Sequence, residues 1–360
     1  MTYARRRHLL GVMTVTASLA AGLIVWRLCC PPPLYRVTIL PSLGGWDTRA
    51  YSLNDRGQIA GVEQIALEEE HLFLWDRENG IRDLGPATGN PITINNAGQI
   101  SGTMLADANQ VEAFLWRPGK GRTRLGTFGD KGSTAFAMNN HGQVIGMSSN
   151  PDGSAFLWDK ATGMTQLHTP DGPRCQAVSI NDAGQVLAMS ILQPLGASRW
   201  FLLDPNGPIS LNATAATVSA LSVNGNSCVA GIENPGGPKP YLLFWDKGRS
   251  WKRLFPIGVH SPVTRLNDRN QIAYTEFRAD PWEEVRDRFS APPHSSGEYT
   301  VSYLWDPVRG RIGLDRYLHG VDRFLVKDLN NKGCIIGTGE TKDGRTRSIL
   351  LEPIPKRWGK

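Results

Sequence analysis

The side chains that could do chemistry are few in kind and scattered along the chain. Carboxylates able to work as acid and base occur as Asp47, Glu68–Glu70, Asp171, Glu283, Glu284 and Asp322. Glycoside chemistry needs two such groups converging within about 5–9.5 Å, and the linear spacing brings no two of these distant groups together. Cys175, Cys228 and Cys334 form an odd set without a Cys-x-x-Cys pair, and no two histidines stand at zinc-ligand spacing. A Gly-x-Ser-x-Gly elbow and a phosphate-cradling glycine loop are also missing from the sequence. Turns such as Asn139-Asn140-His141-Gly142 are rich in oxygen, but they lack the regular Asp spacing and terminal Glu of a calcium loop. We expect no catalytic residue, no metal and no cofactor, and turn chemistry accounts for every residue of these motifs.

Those turns are the organising element. The pattern Asn139-Asn140-His141-Gly142-Gln143-Val144-Ile145-Gly146 recurs with copies starting at Asn54, Asn95, Asn139, Asn181, Asn224, Asn267 and Asn330. Successive intervals are 41, 44, 42, 43, 43 and 63 residues. A fixed period of this size marks an array of one supersecondary unit. In the third copy Thr134–Met138 reads as strand A, followed by a tight hairpin closed by Gly142. Gln143–Met147, Ala155–Trp158 and Met164–Leu167 read as strands B, C and D. Four short strands per period, punctuated by Gly, Pro, Asn and Asp, predict a β-propeller blade.

The columns agree with that assignment. The fourth turn residue is Gly57, Gly98, Gly142, Gly184, Asn270 or Gly333, with Ser227 as the exception. Strand C ends in Trp-Asp at Trp75, Trp158, Trp245 and Trp305, a packing position rather than a binding platform. The residue before each Asn is large and apolar, and the one before that is small in Ser52, Thr93, Ala137, Ser179 and Ser222. Arg265 and Asp328 break the small column in adjacent repeats and predict an ion pair between blades six and seven. Cys228 and Cys334 fill one column two blades apart, too distant for the ~7 Å limit of a disulfide. The seventh copy lacks a D strand and the chain begins with a spare one, Tyr35–Leu40. The expectation is an all-β, seven-bladed propeller of four-stranded blades, closed by the N-terminal strand pairing into the last blade, which leaves no open sheet edge.

The unit from Leu125-Gly126 through Ala137–Gly146 to Ala155-Phe156-Leu157-Trp158 resembles the bacterial extracellular HAF repeat, over essentially all of residues 35–352. The His-Ala-Phe tripeptide that gives this family its name keeps its histidine here only as His71. The resemblance implies an exported, propeller-like repeat protein and implies no reaction.

The front of the chain supplies an address. Arg5–Arg7 precede the apolar run Leu9–Trp26, the order of an export signal, and the run is long enough for an uncleaved membrane anchor. Residues 1–30 are thus a signal or a single transmembrane anchor, 31–33 a Pro spacer, 34–354 the propeller and 355–360 a tail. The anchor places the body extracytoplasmically, in the periplasm or at the cell surface; cleavage would secrete it. The net charge of +6 rests on four arginines in the first thirty residues. The remainder carries 35 basic against 33 acidic residues, which argues against nucleic acid.

Function is expected on the face shared by the D–A connections and B–C loops, because variable loops on a rigid scaffold carry it. The candidates there are Trp46, Asp47, Arg49, Arg174, His260 and His319, together with Arg323. The 63-residue interval adds an insertion in blade six, 278–299, in which Trp282, Glu283, Glu284 and Phe289 could form a short helix ahead of His294. The leading expectation is a monomeric, non-catalytic scaffold that binds a protein or polysaccharide and contacts the membrane through residues 9–26. A propeller-based carbohydrate-active hydrolase or lyase is the alternative, and a purely structural surface protein the third.

Overall fold

The computed structural model describes residues 35–354 except 68, 88–90, 107–109, 130–131, 150–153, 193–196, 215, 234–238, 247–249, 259–262 and 280–297. Strand β1 (Tyr35–Ile39) comes first. Blade one is β2 (Asp47–Leu53), β3 (Ile59–Ala66), β4 (Glu69–Asp76) and β5 (Gly80–Pro86). Blade two is β6 (Thr93–Ile94), β7 (Ile100–Leu105), β8 (Val111–Arg117) and β9 (Gly121–Arg124). Blade three is β10 (Ser133–Met138), β11 (Val144–Ser148), β12 (Ser154–Asp159) and β13 (Gly163–Gln166). Blade four is β14 (Cys175–Ile180), β15 (Val186–Ser190), β16 (Arg199–Leu203) and β17 (Ile209–Thr214). Blade five is β18 (Val218–Val223), β19 (Val229–Glu233), β20 (Tyr241–Trp245) and β21 (Trp251–Pro256). Blade six is β22 (Val263–Leu266), β23 (Ile272–Ala279), β24 (Glu298–Asp306) and β25 (Gly310–Gly313). Blade seven holds β26 (Val321–Leu329), β27 (Ile335–Thr341) and β28 (Thr346–Pro353) and is completed by β1, in the order β1-β28-β27-β26.

Seven four-stranded antiparallel sheets therefore make a seven-bladed propeller closed by its first strand. The Leu40 amide bonds the Ser348 carbonyl at 2.9 Å, as Leu125 bonds Ala113 and Leu167 bonds Ala155 at the same distance. Those equivalent bonds identify Tyr35–Leu40 as the missing D strand. Val37–Glu352 forms one compact unit; of the separate unit made by 1–36 and 353–360, the structure describes only 35–36 and 353–354.

Six of the seven A strands carry a bulge that adds to their twist, between Ala50 and Ser52 in blade one and between Ala135 and Ala137 in blade three, while the two-residue β6 has none. Side chains from adjacent blades meet to form the core, and Phe73, Phe114 and Phe156 of the C strands are fully buried there. They fit because the B strand opposite has glycine. A Cβ on Gly61, Gly102 or Gly146 would run into those same rings. The turn residues behave as expected, with Gly142 at φ +79°. Ser227 adopts φ +62° and Asn270 φ +58° despite their side chains, so the fifth and sixth turns keep the shape without the glycine.

Several boundaries differ from the sequence reading. Asp47 and Arg49 lie in β2, Glu69 and Glu70 in β4, and Arg323 in β26, rather than in loops. β23 and β24 extend to Ala279 and Glu298, taking both ends of the expected 278–299 insertion into the sheet. Its centre, with Trp282, Glu283, Glu284 and His294, lies outside the described residues, as does His260. Among the described residues no helix is long and apolar enough to cross a membrane, and residues 9–26 are not among them.

Candidate functional site: the central channel and its two faces

The repeated Asn is the first residue of the site to be built, because it lines the channel mouth on the A–B-turn face. In blade three the Asn139 Oδ1 accepts the His141 and Gln143 amides at 3.1 and 3.0 Å, which shapes the hairpin. Its Nδ2 donates to Gln143 Oε1 at 2.7 Å and to the Asn181 carbonyl of the next blade at 3.1 Å. The second bond recurs at every junction. Asn54 donates to Asn95, Asn95 to Asn139, Asn181 to Asn224, Asn224 to Asn267, Asn267 to Asn330, and Asn330 back to Asn54, at 2.8–3.3 Å. Seven side chains thus close a hydrogen-bonded ring, each amide fastening one blade to the next.

The Gln column links this ring outward. Gln143 and Gln271 donate to Asp159 and Asp306 at 3.2 and 2.7 Å, and Gln185 donates to Asp204. Those are the acids after strand C, and each also caps its own C–D turn: Asp306 Oδ1 accepts the Val308 and Arg309 amides at 2.9 Å. Burial pushes the Asp306 carboxyl up, but Gln271 and those amides outweigh it and leave it below the ordinary carboxylate value. The motif chemistry is structural throughout.

One residue beyond each Asn a second ring surrounds the mouth. Asn96, Asn140, Asp182, Asp268, Asn331 and Asp55 each accept the amide of the preceding blade at 2.6–2.9 Å. Gly225 occupies the seventh place without a side chain. Asp55, Asp182 and Asp268 make this rim acidic. Two residues before the Asn, hydroxyls take the corresponding role: Ser52, Ser179 and Ser222 accept the Ile94, Val223 and Leu266 amides at 3.2–3.3 Å. Asp328 does the same for Leu53 at 2.9 Å, and Arg265 Nε meets Asp328 Oδ1 at 3.0 Å, the ion pair expected between blades six and seven. The channel between these rings has a volume of about 160 Å³.

The opposite face carries the residues expected from sequence. The D–A loop of blade one is held by the buried Glu63, which accepts the Leu43 and Gly45 amides at 2.8 and 2.7 Å. Trp46 at the end of that loop is 49% exposed, and its carbonyl accepts Arg347 Nη1 at 3.1 Å. Arg49 joins Asp47 and reaches Glu70 at 3.6 Å. Lys327 lies 5.9 Å from the Tyr51 ring, and burial first, then the Arg49 charge, pushes its ammonium pKa down. The structure therefore assembles Trp46, Asp47 and Arg49 with Glu70. It leaves Arg174 exposed in the D–A connection of blade four and His319 exposed in that of blade seven, on other blades of the same face. Asp171 is locked by Arg199 and by Ser190 Oγ at 2.7 Å, and Asp322 stands exposed.

A further polar cluster in blade six was not anticipated. Tyr274 replaces the glycine of the column Gly61, Gly102, Gly146, Gly231 and Gly337, and stacks on Tyr303 with centroids 5.4 Å apart. Glu276, 2% exposed, pairs with Arg278 at 2.8 Å and with Arg311, whose guanidinium lies 3.6 Å over the Tyr303 ring. The signal was present in the sequence as a tyrosine breaking the glycine column. All three described cysteines, Cys175, Cys228 and Cys334, are free thiols, and burial pushes that of Cys175 up to about 11. Among the described residues no cluster of acids, histidines or cysteines is arranged to hold a metal.

No protein-family model matches the sequence, and no curated protein sequence matches it. Among solved structures, the β-propeller domain of the Trilobed protease from Pyrococcus furiosus is similar, with a TM-score of 0.59 and 11% identity over 87% of this chain and 100% of that one. A puromycin-hydrolyzing peptidase of Mycobacterium tuberculosis gives 0.56 and 11%, over 88% of this chain and 55% of its own. The acylaminoacyl peptidase of Pyrococcus horikoshii gives 0.55 and 10%, over 84% and 53%. The chain spans about half the length of these two peptidases. The similarity shows a shared propeller fold; the archaeal protease domain is described as an open velcro, whereas β1 closes the ring here.

Proposed function

We propose that this chain is an exported, membrane-tethered propeller of the HAF-repeat kind that serves as a non-catalytic scaffold for a protein partner. The tether reading rests on Arg5–Arg7 followed by the apolar run 9–26. The observation that carries the scaffold reading is where apolar surface emerges. Of the eight large hydrophobic side chains exposed among the described residues, six (Ile39, Trp46, Leu67, Leu105, Val111 and Tyr299) lie at loops or strand ends of the D–A/B–C face. Exposed apolar groups gathered on one face mark a place where another surface docks. Four of the six are aliphatic, which suits a protein surface better than a glycan, whose rings stack on aromatic faces.

The test is site-specific photocrosslinking of the full chain in cells, from probes at positions 67 and 105, followed by fractionation. A crosslinked protein in the membrane fraction, weakened by Trp46→Ala, is expected. A Leu67→Asp/Leu105→Asp variant that crosslinks from position 46 as strongly as wild type sinks the protein-scaffold reading, and binding to a glycan array without any crosslink moves it to a polysaccharide. Recovery of the body only as a soluble fragment beginning near Ala21 sinks the tether.

A further inference from the structure

The opposite face, at the mouth of the channel, presents an imbalance of hydrogen-bonding groups. Asp328 is saturated: Oδ1 accepts Arg265 Nε and its neighbour Leu329 N at 3.0 and 2.9 Å, and Oδ2 accepts Ser52 Oγ and Leu53 N at 2.9 Å. Arg265 is not. Among the described residues its Nη1 and Nη2 have no partner, and its side chain, 30% exposed, lines the channel. The end-on edge of a guanidinium whose Nε is already taken is a fork for two parallel bonds to one carboxylate. Asp328 stands at the same level of the ring and pins that fork in place.

Entry from this side passes Asp55, Asp182 and Asp268. Their Oδ1 atoms accept the backbone amides of Asn331, Asn140 and Gly225 at 2.6–2.8 Å, and their Oδ2 atoms accept the side-chain amides of Asn96, Asn140 and Asn331 at 2.7–3.3 Å, so among the described residues every donor to these three carboxylates is neutral. Such a rim repels a bare dianion and attracts an ammonium. The two levels are three residues apart along strand A and its turn, at most about 10 Å of strand rise. An α-amino acid hydrogen-bonded at both ends spans roughly 8–9 Å, counting two contacts of normal length. Between the levels the channel is collared by apolar side chains such as Ile94, Met138 and Ile180, and its volume of about 160 Å³ admits a molecule of that size.

We propose that the central channel, entered from the A–B-turn face, binds a small amino-carboxylate zwitterion, with its carboxylate on the open edge of Arg265 and its ammonium on the acidic rim. The site is distinct from the partner face proposed above and stands or falls separately.

The experiment is isothermal titration calorimetry of the detergent-solubilised full chain with L-alanine, acetate, methylammonium and inorganic phosphate. L-alanine is expected to bind most tightly, at one per chain. Arg265→Lys keeps the charge beside Asp328 but removes the fork, so it should weaken L-alanine roughly tenfold or more at an unchanged melting temperature. Asp268→Asn is tolerated by a ring that already uses Asn96, Asn140 and Asn331 at this position; it should weaken L-alanine and tighten acetate. Absence of heat with L-alanine, acetate or phosphate binding as tightly as L-alanine, or full affinity in Arg265→Lys with its fold intact, overturns the proposal.

Discussion

A single residue, Asp328, shows how the ring uses its exceptions. Where five other blades place a small residue, this carboxylate collects four donors from blades one, six and seven. Its side chain is 6% exposed and that of Arg265 30%. Asp328→Ala should therefore cost about 3–5 kcal/mol, the scale of removing one partner of a buried pair. Arg265→Ala leaves Asp328 with three donors and should cost about 1 kcal/mol; urea midpoints of the two variants and the double variant measure the difference. His71 offers a pH-dependent counterpart. Its ring bonds Asp83 at 2.8 Å and Glu69 at 3.1 Å, and the Asp83 bond foremost raises its pKa above the ordinary value. A raised folded value means the stabilisation is complete below the unfolded value, about 6.5, and fades as pH rises through the folded one. The midpoint difference between wild type and His71→Gln should be full at about pH 5.5 and shrink as pH rises above the ordinary imidazole value of about 6.5. The Arg265–Asp328 pair was legible in the sequence because two substitutions of opposite charge fell in one column of adjacent repeats. The gathering of Trp46, Arg49 and Glu70 was not, since a loop and two strands must be folded before their separations exist.

At the scale of the element, the blade was legible because period and column both repeat: four strands, their order and the closing strand follow from the pattern alone. What the Asn is for was not legible. Read within one repeat, its Oδ1 explains the hairpin, and the sequence gives no reason to look further. Its Nδ2 finds the neighbouring blade only once the array has curved round on itself. Asn139→Ala removes all four of these bonds at a buried position and leaves the Asn181 carbonyl with the Gly184 amide alone. A loss of about 2–4 kcal/mol is expected, from net values near 1 kcal/mol per bond with a penalty for unpaired groups, measured by chemical denaturation. Blade six varies the element differently. With Tyr274 in the place of glycine, the facing position is Tyr303 rather than phenylalanine, and the stacked rings support the buried Glu276 between two arginines. The sequence drew attention to the length of this blade's insertion; the altered column beneath it carries as much information.

For the whole molecule, closure is shared between two devices at different radii. Near the axis the Asn330 side chain bonds the Asn54 carbonyl at 3.0 Å, and at the periphery β1 completes the last sheet. Deleting residues 34–41 removes the outer device and exposes the edge of β28, so the melting temperature should fall sharply and the protein should self-associate; an unchanged melting curve would refute the role of β1. The inner device treats the junction of blades seven and one like the other six, since the same amide makes the same bond in the same rotational sense. The covalent order of the blades is thus nearly invisible to the hub. A chain cut in one of its B–C loops and rejoined through its present termini, a circular permutant, would keep every amide of the circle, so the molecule can tolerate a change in where its polypeptide starts far better than a change in how many turns it has.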